Sequence, residues 1–257
     1  MQSHDEVLAT AFDHQAPLFE RAPVQTDRAA LRRLVRRAAF APEARVLDAG
    51  CGPGLVAEAL LEAGRSVFGV DLSSAMVARA EARCGRFGTR FAVIQASLFD
   101  SALDVYNNSF DGAISRYVVH HVEDPRAFLA RQVELLRPGG VLVACDHVTD
   151  PDAALAAWHN EIELLRDRSH TRSLTPGALV DLFATVGVDN IRLVEDIYML
   201  DFDEWFDRGH STVEKAALRR KLLSGPRPRG FAAYEEPGGG VRIEGRRVIV
   251  RGVKPGA

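Results

Sequence analysis

From Arg45 onward, short runs of β-branched and apolar residues alternate with stretches of helical periodicity. A strand–helix–strand repeat of this kind folds into a parallel sheet, because each helix returns the chain to the end at which the previous strand began. The pattern therefore predicts a mostly parallel α/β sheet of seven strands. The runs are RVLDAG from Arg45, SVFGVD from Ser66, RFAVIQA from Arg90, FDGAISRY from Phe110, VLVACDHV from Val141, NIRLVEDIYML from Asn190 and RRVIVRGVK from Arg246.

The charge, the cysteine content and the hydropathy of the sequence exclude several classes of protein. Lys and Arg number 32 against 35 Asp and Glu, so the net charge of −3 provides no broad attraction for nucleic acid. The three cysteines are odd in number and far apart, which argues against a disulfide framework or a zinc cluster. No segment approaches the ~20 apolar residues of a membrane span. We therefore expect a cytoplasmic protein that has no membrane span and does not bind nucleic acid.

A glycine-rich turn follows the first strand, in the segment VLDAGCGPG from Val46 to Gly54. Glycines let a ligand touch the backbone, and the helix that follows offers unpaired N–H groups. The third glycine comes one residue too early for the dinucleotide motif G-x-G-x-x-G, which disfavours a nicotinamide oxidoreductase. Asp71 ends the second strand, where a carboxylate can accept hydrogen bonds from both hydroxyls of a ribose. The two features together indicate a nucleoside ligand without a pyrophosphate.

Five blocks between Val46 and Asp146 occur in the order and at the intervals of a known family: VLDAGCGPG, VFGVDLSSAMV, ASLFD, NSFDGAISRYVVHHVEDP and LLRPGGVLVACD. They resemble the class I S-adenosylmethionine-dependent methyltransferases, especially the small-molecule branch that includes the ubiquinone and menaquinone biosynthesis enzymes. The resemblance covers about Arg45 to Val148. It implies a Rossmann-like sheet with helices on both faces, an antiparallel last strand, and methyl transfer to a small-molecule acceptor.

The resemblance also implies S-adenosylmethionine as the cofactor and a set of residues that bind it. Asp48, Gly50, Gly52 and Gly54 would line the methionyl end, Asp71 the ribose, Leu72 and Met76 the adenine faces, and Ser97 and Leu98 the adenine edge, with Arg116 nearby after strand four. The family usually has Asp where Ser97 stands. A hydroxyl makes a weaker hydrogen bond than a carboxylate, so we expect somewhat weaker cofactor binding.

Histidines follow the fourth and fifth strands and are the candidates for a general base, because histidine titrates closest to neutrality. The block SRYVVHHV is similar to one in phosphobase methyltransferases, whose histidine assists deprotonation and matches His121. His120 and His147 are the alternatives, and a supporting role for His120 and His121 stays open. Tyr117 occupies the position of the amine-binding Asp of that family, which favours a hydroxyl or carbon acceptor over an amine.

Aromatic residues at both ends of the chain could enclose an aromatic, quinone-like or other natural-product acceptor. The candidates are Phe12, Phe19, Tyr117, Trp205, Phe206 and Phe231, with His170, Arg172 and Glu161 in reserve.

Asp146-His147 replaces the Asp-Asn pair of the metal-dependent catechol-type enzymes, so we expect no metal. A non-methylating S-adenosylmethionine-binding protein and a methyltransferase of amines or macromolecules remain alternatives, and a homodimer is an open alternative to the monomer.

The length of the chain, 257 residues, favours one large domain over two equal halves. We interpret residues 1–44 as an N-terminal helical cap and residues 45–150 as the cofactor-binding core. Residues 151–257 would supply the acceptor side. Within them, the segment 203–244 is predicted to be a lid-like insertion before the last strand, because a long connection rich in Gly and Pro is typical of a functional loop.

Overall fold

Residues 4–256, which the computed structural model describes, form a mostly parallel sheet of eight strands. The strand order is β3-β2-β1-β4-β5-β8-β6. The first five strands are parallel, and β8 lies antiparallel between β5 and β6, as the resemblance implied. The strands are β1 (Arg45–Ala49), β2 (Ser66–Asp71), β3 (Phe91–Gln95), β4 (Phe110–Arg116), β5 (Leu136–His147), β6 (Asp189–Asp201), β7 (Phe231–Glu235) and β8 (Val241–Val253).

The predicted number of seven strands is one too few. The additional strand, β7, pairs antiparallel with the first part of β8. That last strand begins at Val241, five residues before the predicted Arg246. The run FAAYE is short and has no β-branched residue, so its periodicity does not distinguish it from a loop, and the hairpin with β8 supplies its hydrogen-bond partners.

Helices cover both faces of this sheet. None of the helices in the described part of the chain is long and apolar enough to cross a membrane. The helices are α1 (His4–Phe19), α2 (Pro23–Thr26), α3 (Arg28–Ala38), α4 (Leu55–Glu62), α5 (Ser74–Cys84), α6 (Pro125–Leu135), α7 (Ala153–Arg166), α8 (Pro176–Thr185), α9 (Phe202–Arg208) and α10 (Lys215–Ser224), with short 3-10 helices at Gly85–Arg90, Ser101–Tyr106 and Val119–His121.

Side-chain caps start several of the helices. The carboxylate of Asp27 accepts hydrogen bonds from two amides of the first turn of α3. Asp124 caps α6 and Thr175 caps α8 in the same way, each with a proline at the first helical position. Each cap satisfies an amide that the helix itself cannot pair, which stabilises the helix by ~1 kcal/mol.

Two hydrophobic cores lie on the two faces of the sheet, because successive residues of a strand point to opposite sides. Val46 belongs to the core that packs against α3 and α4. Leu47 belongs to the core that packs against α6 and α8. A third core, which includes Ile162, Trp205 and Phe231, joins α7, α9 and α10 to the hairpin of β7 and β8.

Parallel pairing brings the carboxyl ends of the central strands to one edge of the sheet. The glycine turn after β1, Asp71 at the end of β2, Arg116 at the end of β4 and His147 at the end of β5 therefore meet there. Ligands bind at this edge in open α/β sheets. The fold thus places the predicted site residues of four strands together.

We expect Gly112→Ala to destabilise the protein, because β4 packs closely against Phe40. A methyl group at Gly112 would lie 2.3 Å from a ring carbon of the buried Phe40. Such overpacking costs ~1 to 3 kcal/mol. Gly85→Ala is the matched control, since its added carbon would meet nothing within 4 Å. Urea unfolding of both variants measures the difference, and equal stabilities would show that Phe40 can move aside.

Candidate active site

A cavity of about 370 Å³ opens at the carboxyl edge of the sheet. All the predicted cofactor residues except Gly54 line it: Asp48, Gly50, Gly52, Asp71, Leu72, Met76, Ser97, Leu98 and Arg116. Gly54 begins α4 with a left-handed φ of 79°, and a Cβ there would lie 3.1 Å from the backbone of Ala80 in α5. Gly54 therefore allows α4 and α5 to approach each other and does not line the cavity.

Asp71 ties the end of β2 to the glycine turn. Its Oδ2 accepts a hydrogen bond of 2.7 Å from the amide of Gly52, and its Oδ1 accepts one of 2.9 Å from the amide of Ser73. Burial raises the pKa of Asp71, and the two amides oppose that rise. Each carboxylate oxygen has a further lone pair, so the group can also accept from two hydroxyls at the cavity wall.

Asp48 carries a buried carboxylate oxygen without a hydrogen-bond donor. Only 1% of Asp48 is exposed, and its Oδ2 has no partner among residues 4–256. Burial raises its pKa to about 7, the negative charge of Asp71 adds to the rise, and Arg116 opposes it. A buried, unpaired carboxylate at a cavity wall is suited to an ammonium group, which would restore the solvation that burial removed.

Arg116 is held in place by the end of α2. It donates hydrogen bonds to the backbone oxygen of Val24 at 2.8 Å and to the side-chain oxygen of Gln25 at 3.2 Å. Its guanidinium lies 4.6 Å from the ring centre of Tyr117. Gln25 lines the cavity but was not predicted, because nothing in the sequence near it indicates contact with strand four.

His121 places an imidazole at the wall of the same cavity. Its Nδ1 lies 2.8 Å from the backbone oxygen of Ser169. A carbonyl only accepts, so Nδ1 carries the proton and Nε2 keeps its lone pair. Burial lowers the pKa of His121, although the charge of Asp167 opposes this, and the ring packs edge-on against Phe12 at 4.9 Å between ring centres. The neutral tautomer that a general base needs is therefore the favoured one.

His120 and His147 lie in a second, smaller cavity of about 60 Å³. The two cavities adjoin, since Phe19, Gln25, Tyr117 and His121 line both. Burial lowers the pKa of both His120 and His147 well below its usual value. The structure thus separates the three predicted base candidates, and of them only His121 faces the large cavity.

Tyr117 forms part of the wall between the cavities in a strained conformation. Its φ of 58° is left-handed, which is uncommon for a bulky side chain. The hydroxyl oxygen accepts a hydrogen bond of 2.9 Å from Arg247 on β8. The stacked Arg116 and the bond from Arg247 together hold the ring in this position.

The predicted acceptor residues divide into two groups. Phe12 lines the large cavity, Phe19 and Tyr117 line both, and Trp205 lines the small one. Phe206 and Phe231 line neither. Phe231 is turned inward by the pairing of β7 with β8 and stacks on His159 at 4.2 Å, whereas Phe206 packs against the third core. Both contribute to core packing.

The reserve candidates also divide, and α7 adds residues that were not predicted. His170 lines the small cavity, whereas Arg172 is exposed and Glu161 pairs with Lys221 on the surface. The additional charged residues of the small cavity are Glu163, Arg166, Asp167 and Arg208. Charged residues on the buried face of an amphipathic helix could have indicated a site. Only the folded chain shows that these residues meet.

Comparison with known proteins identifies the family. The methyltransferase domain family matches residues 24–193, about two thirds of the chain. The chain belongs to this family. The methyltransferase YcgJ of Bacillus subtilis is 27% identical over 80% of this chain and 81% of its own length. The crystal structure of YcgJ superposes with a TM-score of 0.78, covering 89% of this chain and 99% of that one.

Two further proteins of named activity are similar to this chain. The ubiquinone biosynthesis O-methyltransferase of Cereibacter sphaeroides is 30% identical over 57% of this chain and 61% of its own length. The geranyl diphosphate C-methyltransferase of Streptomyces coelicolor, solved with S-adenosylhomocysteine, superposes with a TM-score of 0.58 at 16% identity over 89% of this chain and 79% of that one. The protein is an S-adenosylmethionine-dependent methyltransferase.

The residues of the large cavity fit this cofactor. The unpaired Oδ2 of Asp48 would take the methionyl ammonium, and Asp71 would accept from the ribose hydroxyls. Leu72 and Met76 would contact the adenine, with Ser97 at its edge. We propose these contacts as the binding mode.

We expect Asp71→Ala to weaken the binding of S-adenosylhomocysteine about 30-fold or more, because two ribose hydrogen bonds worth ~2 to 4 kcal/mol together are lost. 5′-Methylthioadenosine keeps the ribose but lacks the amino acid, so its affinity should fall by a similar factor. Calorimetry measures both. Asp100→Ala is the control, since Asp100 caps a 3-10 helix outside the cavity. Unchanged affinity in a folded Asp71→Ala variant would refute the ribose contact.

Asp48 should make cofactor binding dependent on pH. Its carboxyl is protonated below a pKa of about 7 and must lose that proton to receive an ammonium, so affinity for S-adenosylhomocysteine should rise from pH 5.5 to 7 and then level off. Asp48→Asn should weaken this binding and flatten the profile. It should leave the affinity for 5′-methylthioadenosine nearly unchanged, since that nucleoside has no ammonium group. An equal loss for both ligands would show that Asp48 supports the cavity as a whole.

Proposed function

We propose that the protein methylates a hydroxyl oxygen or acidic carbon of an aromatic, quinone-like or other natural-product acceptor. The observation that carries this proposal is the position of His121, which lines the cofactor cavity and whose bond from Nδ1–H to Ser169 leaves Nε2 unprotonated. A hydroxyl or acidic carbon must lose a proton as it accepts a methyl group, and a neutral imidazole can remove it. The relative named for ubiquinone O-methylation supports an oxygen acceptor.

The wall around His121 is suited to a flat, apolar acceptor. Leu8, Phe12 and Phe19 of α1 line the cavity, and Phe128 of α6 lines it as well. Apolar walls with a few convergent polar groups are typical of small-molecule sites. Tyr117 adds a ring in place of the carboxylate that would bind an amine. The arrangement therefore favours aromatic or quinone-like acceptors over cationic ones.

Methyl transfer needs positioning more than covalent help from the protein. When bound, S-adenosylmethionine supplies a methyl group that is already activated on a sulfonium. His121 would accept the proton of the acceptor at Nε2, and its Nδ1–H would stay bonded to Ser169. The negative charge of Asp167 would stabilise the imidazolium that results. Much of the rate enhancement comes from holding the acceptor atom in line with the methyl carbon, at ~3 Å from it. The entropic cost of bringing the two together is then met when the acceptor binds.

The N-terminal helix α1 would exclude water from the reaction. Nε2 of His4 donates to the backbone oxygen of His121 at 2.7 Å. At the other end, Asp13 accepts hydrogen bonds from the hydroxyl of Ser73 and the amide of Ala75. Both contacts hold α1 across the cavity. Closure of this helical cap and of segment 203–244 over the acceptor remains our prediction.

We expect His121→Ala to lower kcat by ~10² to 10⁴-fold, because a positioned base contributes that much. Affinity for S-adenosylhomocysteine should change little, since His121 makes no predicted contact with the cofactor. The assay would follow S-adenosylhomocysteine release with a panel of phenols, quinols, 1,3-dicarbonyl compounds and amines. His210→Ala is the matched control, because His210 is exposed and outside both cavities.

The outcomes distinguish the alternatives. A loss of less than tenfold in kcat would remove the base role from His121. A parallel loss of cofactor affinity would instead make His121 a support of the cofactor cavity. If only amines turned over, the amine-methylating alternative would replace the proposal, and turnover of no acceptor in a protein that binds the cofactor would favour the non-methylating one.

A further inference from the structure

The small cavity brings three histidines together from separate segments of the chain. His120 follows β4, His147 ends β5, and His170 lies in the loop after α7. One ring nitrogen from each lies within 4.8 Å of the other two. The rings of His120 and His147 are in contact, with centres 3.8 Å apart. A small cavity walled by three imidazoles is unusual for simple packing, because polar rings are more often paired with oxygen acceptors.

Hydrogen bonds engage one ring nitrogen of His120 and one of His170, and they leave the second nitrogen of each of these two rings available. Nδ1 of His120 bonds to Asp146 at 2.6 Å, which leaves Nε2. Nε2 of His170 bonds to the side-chain oxygen of Asn160 at 3.0 Å, which leaves Nδ1. Nε2 of His147 is buried and has no partner in the described part of the chain. Histidines that bind metals are oriented in this way, with the second nitrogen donating to a carboxylate or an oxygen of the protein.

The charges around the cavity also favour a cation. Arg166 is paired with Asp167 at 3.3 Å, and Arg208 lies 3.4 Å from Glu204. The carboxylate of Asp146 stands behind His120, and Glu163 lines the cavity. The lining of the small cavity thus carries two guanidinium groups and two carboxylates, and Asp146 behind His120 adds a third carboxylate. An additional positive charge would balance this excess of negative charge.

We propose that His120, His147 and His170 bind one divalent transition-metal ion of the zinc type. Imidazole ligands favour zinc, copper, iron or nickel over magnesium and calcium, which prefer oxygen. Three histidines with an open fourth position are typical of a catalytic site rather than a structural one. A cavity of about 60 Å³ can hold an ion and a water molecule but is too small for an acceptor ring.

The metal would lie beside the acceptor, because Phe19, Gln25, Tyr117 and His121 separate the small cavity from the large one. Its open position would suit an oxygen atom of the acceptor that reaches between these residues. This consequence rests on the proposed function, whereas the metal site rests only on the geometry of the cluster. Metal binding can be measured without an acceptor. A failed metal titration would therefore leave the proposed function standing, and a failed activity assay would leave the metal site standing.

The test uses the full-length protein without a tag, freed of metal by a chelator and then titrated with Co²⁺ and with Zn²⁺. We expect one ion per chain, with visible absorption from the Co²⁺ form, and X-ray absorption of the Zn²⁺ form should show three imidazole ligands. His147→Ala and His170→Ala should each weaken binding by at least about 100-fold. Asn160→Ala keeps all three rings and should weaken binding by ~10 to 100-fold, because it removes only the group that orients His170.

His210→Ala is the control for adventitious binding to an exposed histidine and should not change the affinity. The absence of saturable one-to-one binding by the wild-type protein would overturn the proposal. Unchanged affinity in the His147 and His170 variants would do the same. If those variants do not fold, Asn160→Ala and the count of imidazole ligands in the wild-type protein decide the question.

Discussion

Parallel pairing of β1 with β2 on one side and with β4 on the other is the constraint on which the site depends. The pairing leaves the turns after all three strands at one edge, within reach of a single ligand. The bond from the amide of Gly52 to Asp71 then fixes the distance between two of these turns. Most of the proposed cofactor contacts come from residues within strands or in the turns that follow them, and Met76 of α5 is the exception.

The cofactor side was predictable because its signals are local. The glycine turn and Asp71 each lie at a strand end that periodicity alone locates, and spacing relates them to one ligand. Gly54 shows the limit of that reasoning. It belongs to the same turn, but whether a glycine faces a ligand or a neighbouring helix depends on packing that spacing does not reveal.

The acceptor side was harder to predict because its residues meet only in three dimensions. His120, His147 and His170 come from three separate segments, so nothing in the sequence indicated that they meet, and the expectation of no metal was drawn from Asp146-His147 alone. Phe206 and Phe231 have the aromatic character of an acceptor site but lie outside both cavities, because β7 pairs with β8 and directs Phe231 into the third core. β7 itself was missed for a related reason, since FAAYE gains its strand character from its partner.

Buried polar groups connect the helices around the small cavity. Gln15 of α1 donates to Asp167, and Arg166 of α7 donates to the backbone oxygen of Trp205 in α9. Such groups contribute little net stability, because their desolvation offsets the attraction between them. They do fix relative position, since each unpaired member would cost ~1 to 3 kcal/mol. The network thus sets the spacing of three helices around the cluster of histidines.

The contact of Asp13 with the start of α5 limits how enzymes of this type can diversify. The carboxylate of Asp13 accepts from Ser73 and Ala75, so the helix that brings Phe12 to the large cavity also completes the cap of α5, which carries Met76 at the same cavity. An N-terminal helix taken from a relative with a different acceptor would bring new contacts to the substrate and lose this cap. Recombination at residue 44 would therefore transfer specificity intact only if the turn between β2 and α5 came from the same parent.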